Sequence, residues 1–229
     1  MKEDVHRYVG EDGTVTYDVN RCIHVKACVE WLSQVFDPDE RPWIRPDNAD
    51  AEEVAAVIRD CPTGALHFES NEGMDEPIPE GNRITVVPDG PLYLHGDLGI
   101  ETPEGEELLS DTRIALCRCG ASENKPLCDN SHAAVGFEDG GSLDGGEAVT
   151  EEEPPDEALR LTPIPAGPCM ASGTFEIEGA DGEQYRGTET ALCRCGASGT
   201  KPFCDGTHRE VEFTGEDSGE VGRTGEERL

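Results

Sequence analysis

The chemistry in this sequence is concentrated in cysteines at regular spacing. Cys117, Cys119, Cys128 and His132 follow the pattern C-x-C-x8-C-x3-H, and Cys193, Cys195, Cys204 and His208 repeat it. Three thiolates and one imidazole make a four-donor set. The options are a tetrahedral zinc ion or a [2Fe–2S] cluster, and spacing alone does not choose between them. A third group lies earlier in the chain: Cys22, Cys28 and Cys61, the last followed by Pro62.

An internal repeat must position the two four-donor sets. Residues 115–132 and 191–208 are identical at thirteen of eighteen positions. Upstream, Gly90-Pro91 matches Gly167-Pro168, Gly96 matches Gly173 and Gly105 matches Gly182. The unit is about 76 residues long, the size of a small domain rather than of a solenoid repeat. Short β-like runs punctuated by Gly and Pro precede each Cys block, at 83–87, 92–95 and 113–116, then at 159–162, 174–178 and 188–192. Each copy therefore reads as a small β-rich domain with a Cys loop. The stretch 138–157 reads as a Gly/acid linker and the tail 215–229 as disordered. Residues 1–70 differ in pattern. A strand is expected at 14–18, a short helix at 29–36, an amphipathic helix at 50–60 with Val54, Val57 and Ile58 on one face, and a closing strand at 65–68.

The residues between the donors add a resemblance. Both blocks read C-R-C-G-x-S-x-x-K-P-x-C-D-x-[ST]-H. They closely resemble the CDGSH iron–sulfur family of the mitoNEET type, with Cys128-Asp129-Asn130-Ser131-His132 and Cys204-Asp205-Gly206-Thr207-His208 at the signature positions. The resemblance implies one [2Fe–2S] cluster per motif, held by three Cys and one His, with two motifs paired. Both copies sit in one chain, so the pairing expected is an intramolecular pseudo-dimer within a monomer. Asn130 departs from the usual Gly, but Asn is the next-best residue for a positive φ. The segment with Cys22-Ile23-His24, Cys28 and Cys61-Pro62-Thr63-Gly64 resembles divergent single-cluster ferredoxins. Val25 stands at the middle ligand position, so three Cys suit a [3Fe–4S] cluster. A [4Fe–4S] cluster needs a fourth ligand, for which His24 is nearest. The fold class expected is α+β: a ferredoxin-like domain over 1–72, then CDGSH domains over 80–140 and 156–214.

Neighbouring residues have roles that sequence leaves open. Asp129 and Asp205 are expected to cap a short helix carrying the His. Lys125, Lys201, Arg118 and Arg194 either offset cluster charge or face elsewhere. Ser122 and Ser198 either donate to cluster sulfur or close the turn. Cys169 reads as a buried thiol acting as a small apolar residue, and His6, His67 and His95 lack ligand spacing. An imidazole in place of a thiolate removes one negative charge, which raises the reduction potential, and its protonation at a pH of about 6.5 would weaken the iron bond and make the site acid-labile.

Composition bounds the rest. The chain has 229 residues, 50 Asp+Glu against 18 Lys+Arg and a formal net charge of -32. Leu, Ile, Val and Phe total 44, about 19% of the chain, a level at which high charge alone would suggest disorder. A large apolar core is not expected, and folding is expected to depend on the metal. Only four of the basic residues are Lys, and the acidic, lysine-poor balance resembles proteins of salt-accumulating halophiles, in which molar salt screens self-repulsion. Such charge disfavours nucleic acid and anionic membranes. No apolar run spans a bilayer and no signal segment is evident, so a cytoplasmic location is expected. No nucleophile–base pair or phosphate loop points to an enzyme. The leading expectation is an electron carrier whose partner is a flavoprotein or another iron–sulfur protein. The alternative is cluster storage, transfer to an apo-acceptor, or redox and pH sensing.

Overall fold

The computed structural model describes residues 4–71, 73, 76–143 and 157–215. The expected disordered tail, apart from Gly215, and most of the 138–157 linker lie outside the described residues.

The N-terminal domain is a three-stranded antiparallel sheet backed by two helices. Strand β1 (Val5–Val9) pairs with β2 (Gly13–Asp18), which pairs with β3 (Leu66–Ser70). Helix α1 (Ala27–Trp31) is shorter than the helix expected at 29–36. The chain leaves helical conformation at Leu32, and the Val35 and Phe36 amides turn back onto the Leu32 carbonyl. That turn buries Leu32, Val35 and Phe36 together, and their burial outweighs one more turn of helix. Helix α2 (Ala51–Arg59) forms as expected, burying Val54 and Ile58 one turn apart. Asp50 sits at its N-cap but makes no side-chain capping bond. Trp43 closes the core, with the Tyr17 ring edge-on at 4.9 Å.

The two repeats form one β-unit by exchanging strands. β5 (Leu92–Glu101) pairs along one edge with β6 (Glu107–Leu116), and β8 (Cys169–Glu178) pairs likewise with β9 (Gln184–Leu192). Two shorter strands fill the gap between β5 and β8. β4 (Arg83–Val86) runs antiparallel to β5 and parallel to β8, and β7 (Leu159–Pro163) runs antiparallel to β8 and parallel to β5. The first strand of each repeat thus completes the far end of the other repeat's long strand. This arrangement is isologous, as in a two-fold dimer, and it is the expected pseudo-dimer.

Exchange also corrects the composition argument. One continuous core draws on both copies, from Ile84, Leu94, Leu98 and Ile114 in the first to Leu159, Ala171, Phe175 and Ile177 in the second. Cys169 lies within it as the small apolar residue expected. Two poor aliphatic inventories pooled into one interior bury a larger fraction of their surface than two separate domains would. Among the described residues no helix is long and apolar enough to cross a membrane.

Candidate metal centres

The ends of β6 and β9 deliver the two Cys loops. In the first, the Cys117 amide donates to Pro126 O and the Cys128 amide to Ala115 O, both at 2.8 Å. The loop therefore folds back and sets Cys128 beside the strand end. The Cys193 amide to Pro202 O and the Cys204 amide to Ala191 O do the same in the second.

The candidate donors then fall into pairs. Cys117 Sγ and Cys119 Sγ are 3.7 Å apart, and Cys128 Sγ and His132 Nδ1 are 3.5 Å apart. The second motif gives 3.7 Å for Cys193–Cys195 and 3.4 Å for Cys204–His208. Two tetrahedral ligands on one metal at about 2.0–2.3 Å stand roughly 3.5–3.8 Å from each other. Each pair fits one metal. Among the described residues no group of three or more such side chains gathers around a single point.

The neighbouring residues hold these loops. Ser122 Oγ donates to Leu127 O at 2.6 Å and Ser198 Oγ to Phe203 O at 2.7 Å, so these hydroxyls close the turn. Arg118 is buried and donates to Gly90 O and Val87 O, with Phe137 against its guanidinium. Arg194 repeats this with Gly167 O, Ile164 O and Phe213. Both arginines therefore anchor the loop to the preceding turn. The Lys125 and Lys201 ammoniums donate to the Ser122 and Ser198 carbonyls within their own loops. The expected helix caps are corrected in part. A short helix α3 (Ser131–Val135) does carry His132, but Asn130 occupies its N-cap, in the left-handed conformation with φ 73°. Asp129 stands one residue earlier, accepting from the Ser131 and Glu123 amides. Asp205 accepts likewise from Thr207 and Gly199. Each Asp fastens the His turn to the far side of its loop.

Asp139 is a functional neighbour that sequence did not single out. It pairs with Arg118 of the first motif, and its other oxygen lies 3.5 Å from Lys201 Nζ of the second. Its amide and carbonyl also bond to Asp89. The start of the apparent linker is thus a tie between the two motifs. Nothing distinguishes this Asp in sequence from the acidic residues around it.

The N-terminal candidate donors border their own core. Cys22, Cys28 and Cys61 all pack against it. The loop from Cys22 to Cys28 winds through two non-glycine left-handed residues, His24 at φ 58° and Lys26 at φ 69°. Such conformations persist only where the surroundings enforce them. His24 Nδ1 is 3.9 Å from Cys22 Sγ. Burial, then the neighbouring Cys61 and Cys22 thiolates, push the Cys28 thiol up to about 11. Three half-buried thiols that repel one another's charge fit a cationic centre that would take them all as thiolates.

The paired motifs show the same tension. Burial pushes Cys128 up to about 12. The Cys117–Cys119 hydrogen bond, and then burial, raise Cys117, while the same contact holds Cys119 down. Burial lowers His132 and keeps its imidazole neutral, the form that coordinates. Of the other histidines, His6 lies exposed beside Asp4 and His95 is lowered by burial and then by Arg113 and Arg83.

A polar clamp seats the N-terminal domain on the first repeat. Arg21 Nη1 pairs with Asp111 Oδ2 at 2.6 Å, and Arg21 Nη2 donates to Arg113 O at 2.8 Å. His67 bridges Asp111 at 3.1 Å and Glu76 at 2.9 Å. Arg113 pairs with Glu76 at 2.7 Å and donates to the Ile58 and Leu66 carbonyls.

Strand-exchanged repeats carrying paired thiol and imidazole donors, beside a domain with three half-buried thiols, define an iron–sulfur protein. The family model described as "iron-binding zinc finger CDGSH type" matches residues 89–133 and 166–209, and that of a "divergent 4Fe-4S mono-cluster" matches 8–71. The chain carries two CDGSH-type iron-binding domains and, at their N-terminal side, a divergent 4Fe-4S mono-cluster domain. The uncharacterized protein YjdI of Escherichia coli, in strain K12 and in O157:H7, is 38% identical over 61 residues, covering 27% of this chain and 80% of the relative. No solved structure gives a significant match.

Proposed function

We propose that this protein carries single electrons, holding a [2Fe–2S] cluster in each CDGSH motif and a [3Fe–4S] or [4Fe–4S] cluster in the N-terminal domain. The ligands assigned are Cys117, Cys119, Cys128 and His132, then Cys193, Cys195, Cys204 and His208, and Cys22, Cys28 and Cys61, with His24 as the fourth donor if the last cluster has four irons. The observation that carries this reading is the two-and-two division of donors. A pair at 3.7 Å and a pair at 3.5 Å serve two irons, whereas one zinc ion would draw all four to one point. An iron–sulfur cluster exchanges one electron, and an imidazole ligand raises its potential relative to an all-thiolate site.

The chain's own residues keep the donors in place. Ser122, Arg118 and Asp129 tie the first loop to backbone on both sides, and Ser198, Arg194 and Asp205 tie the second. Loops fastened in this way favour retaining a cluster over donating it to an apo-acceptor, the competing role. The partner fitting this surface is a flavoprotein or another iron–sulfur protein with a basic docking face. The buried Arg21, Arg113 and Arg118 are each neutralised by a carboxylate, and the net charge of -32 leaves the outer surface strongly acidic. Such a surface fits a cytoplasm of high salt, in which its self-repulsion is screened.

Iron, zinc and acid-labile sulfide should be measured on protein purified anaerobically in high salt, with a reductive titration. Iron with sulfide at about seven or eight irons per chain, reversibly reduced, is expected. Zinc without sulfide overturns the reading, as do clusters that cannot be reduced.

Removing iron is expected to act locally. The shared core keeps the β-unit folded, while loops 117–132 and 193–208 lose their metal ties. This narrows the whole-chain unfolding that composition suggests. Hydrogen exchange after chelation at low salt should accelerate at the Cys117 and Cys128 amides and stay slow along β5 and β8. Loss of protection along those strands sinks the prediction.

A further inference from the structure

The N-terminal donor segment packs against the first CDGSH motif. Ile23, the residue after Cys22, packs with Ala115 and with Cys128 itself, and the Tyr93 ring covers this contact. On the other side of Cys22, the Asn20 carbonyl accepts from Asn124 Nδ2 in the first Cys loop at 2.9 Å. The Arg21–Asp111 pair at 2.6 Å fixes the same segment to β6. One donor segment of the N-terminal domain is therefore bonded, ion-paired and packed against the first motif. The contacts named here all land on the first repeat.

The second motif meets the first directly. A Cβ on Gly120 would come within 2.5 Å of Cys195 O, and a Cβ on Gly196 within 2.5 Å of Cys119 O. The three donor sets are thus arranged in order: N-terminal, first motif, second motif.

We propose that the contact of Asn20–Ile23 and Tyr93 with Cys128 is an electron-transfer junction, so that the N-terminal centre exchanges electrons with the first motif and reaches the second only through it. This rests on the electron-carrier reading. In each transfer one iron–sulfur centre is oxidised by one electron and its neighbour is reduced by one. No bond breaks and no proton moves. The repeat makes the two motifs near-identical in sequence, and it is their placement against one N-terminal domain that gives them different roles.

Spectral labelling tests this on the loaded full-length protein. His132→Cys and His208→Cys each replace the imidazole with a thiolate, which shifts the resonance of that one [2Fe–2S] centre. Samples are reduced stepwise with dithionite and followed by low-temperature electron paramagnetic resonance. Faster relaxation or splitting of the N-terminal signal should appear when the first-motif centre is reduced. That centre should be the shifted one in His132→Cys and the unshifted one in His208→Cys. Ile23→Ala should slow equilibration between these two centres after pulse reduction while leaving each separate spectrum unchanged. Centres that reduce normally without coupling, or coupling to the second motif, overturn the junction and leave the carrier reading standing. Absence of reducible centres removes both.

Discussion

Asp111→Asn is expected to destabilise the protein by about 3–5 kcal/mol, the cost of removing one partner from a buried ion pair. Asp111 and Arg21 are only 3% and 8% exposed at their side chains and stand 2.6 Å apart. The same Asp111 oxygen also lies 3.1 Å from His67 Nε2. A neutral amide leaves two cationic groups facing a site without a compensating charge. The exposed Arg7–Glu69 pair provides the control, with side chains 55% and 53% exposed. Arg7→Ala is expected to cost about 0–1 kcal/mol. Urea unfolding of both variants decides the matter. A loss in Asp111→Asn no larger than in Arg7→Ala would show that the clamp does not hold the domains together.

The same clamp gives stability a pH dependence of defined sign. Burial alone would lower His67, but hydrogen bonds to Asp111 and Glu76 outweigh it and hold the imidazole up at about 9, above the usual 6.5. Its stabilising contribution is therefore complete below pH 6.5 and is lost as pH rises through about 9. Asp111 is held the other way. Its bonds to His67 and Arg21 overcome burial and bring it to about 2, below the usual 3.8. Its contribution is present above pH 3.8 and is lost as pH falls toward 2. In Asp111→Asn the alkaline decline should flatten, because His67 keeps only Glu76 to hold its proton.

The sequence was legible where one residue type answers one physical demand. Spacing and the residues around it pointed to eleven Cys and His as candidate donors, of which the structure sets eight in pairs, and every strand of the β-unit was seen at least at its apolar end. β5 was expected only at 92–95, because the register shifts beyond His95 and its outward residues stop alternating. β1 left no signal: Val5 and Val9 are 49% and 77% exposed, and the strand is ordered by pairing with β2 rather than by burial. Strand exchange was invisible for a different reason. The repeats are alike, so either copy of the first strand satisfies either long strand, and only the three-dimensional closure chooses. Asp139 and the Arg21–Asp111–His67 clamp were missed because each uses an ordinary charged residue whose partner lies far away in sequence.

Gly120→Ala and Gly196→Ala should each cost about 2–5 kcal/mol, and the reason separates into two parts. Gly120 has φ 80° and Gly196 has φ 78°. An L-residue in the left-handed region loses about 1–2 kcal/mol. In addition, the new methyl meets backbone rather than a movable side-chain tip, Cys195 O in one case and Cys119 O in the other, each at 2.5 Å. Overpacking of that kind adds about 1–3 kcal/mol. Gly105 isolates the first part, since it has φ 84° with nothing within 4 Å of a Cβ. Gly105→Ala should therefore show the conformational cost alone in urea unfolding. Equal losses at Gly105 and Gly120 would mean that the two loops can move apart freely. A larger loss at Gly120 means that they cannot, and the reciprocity of the contact then has a consequence for the metal centres. A methyl placed in one loop pushes on the carbonyl of a donor cysteine in the other, so Gly120→Ala should disturb the spectrum of the second motif, and Gly196→Ala that of the first.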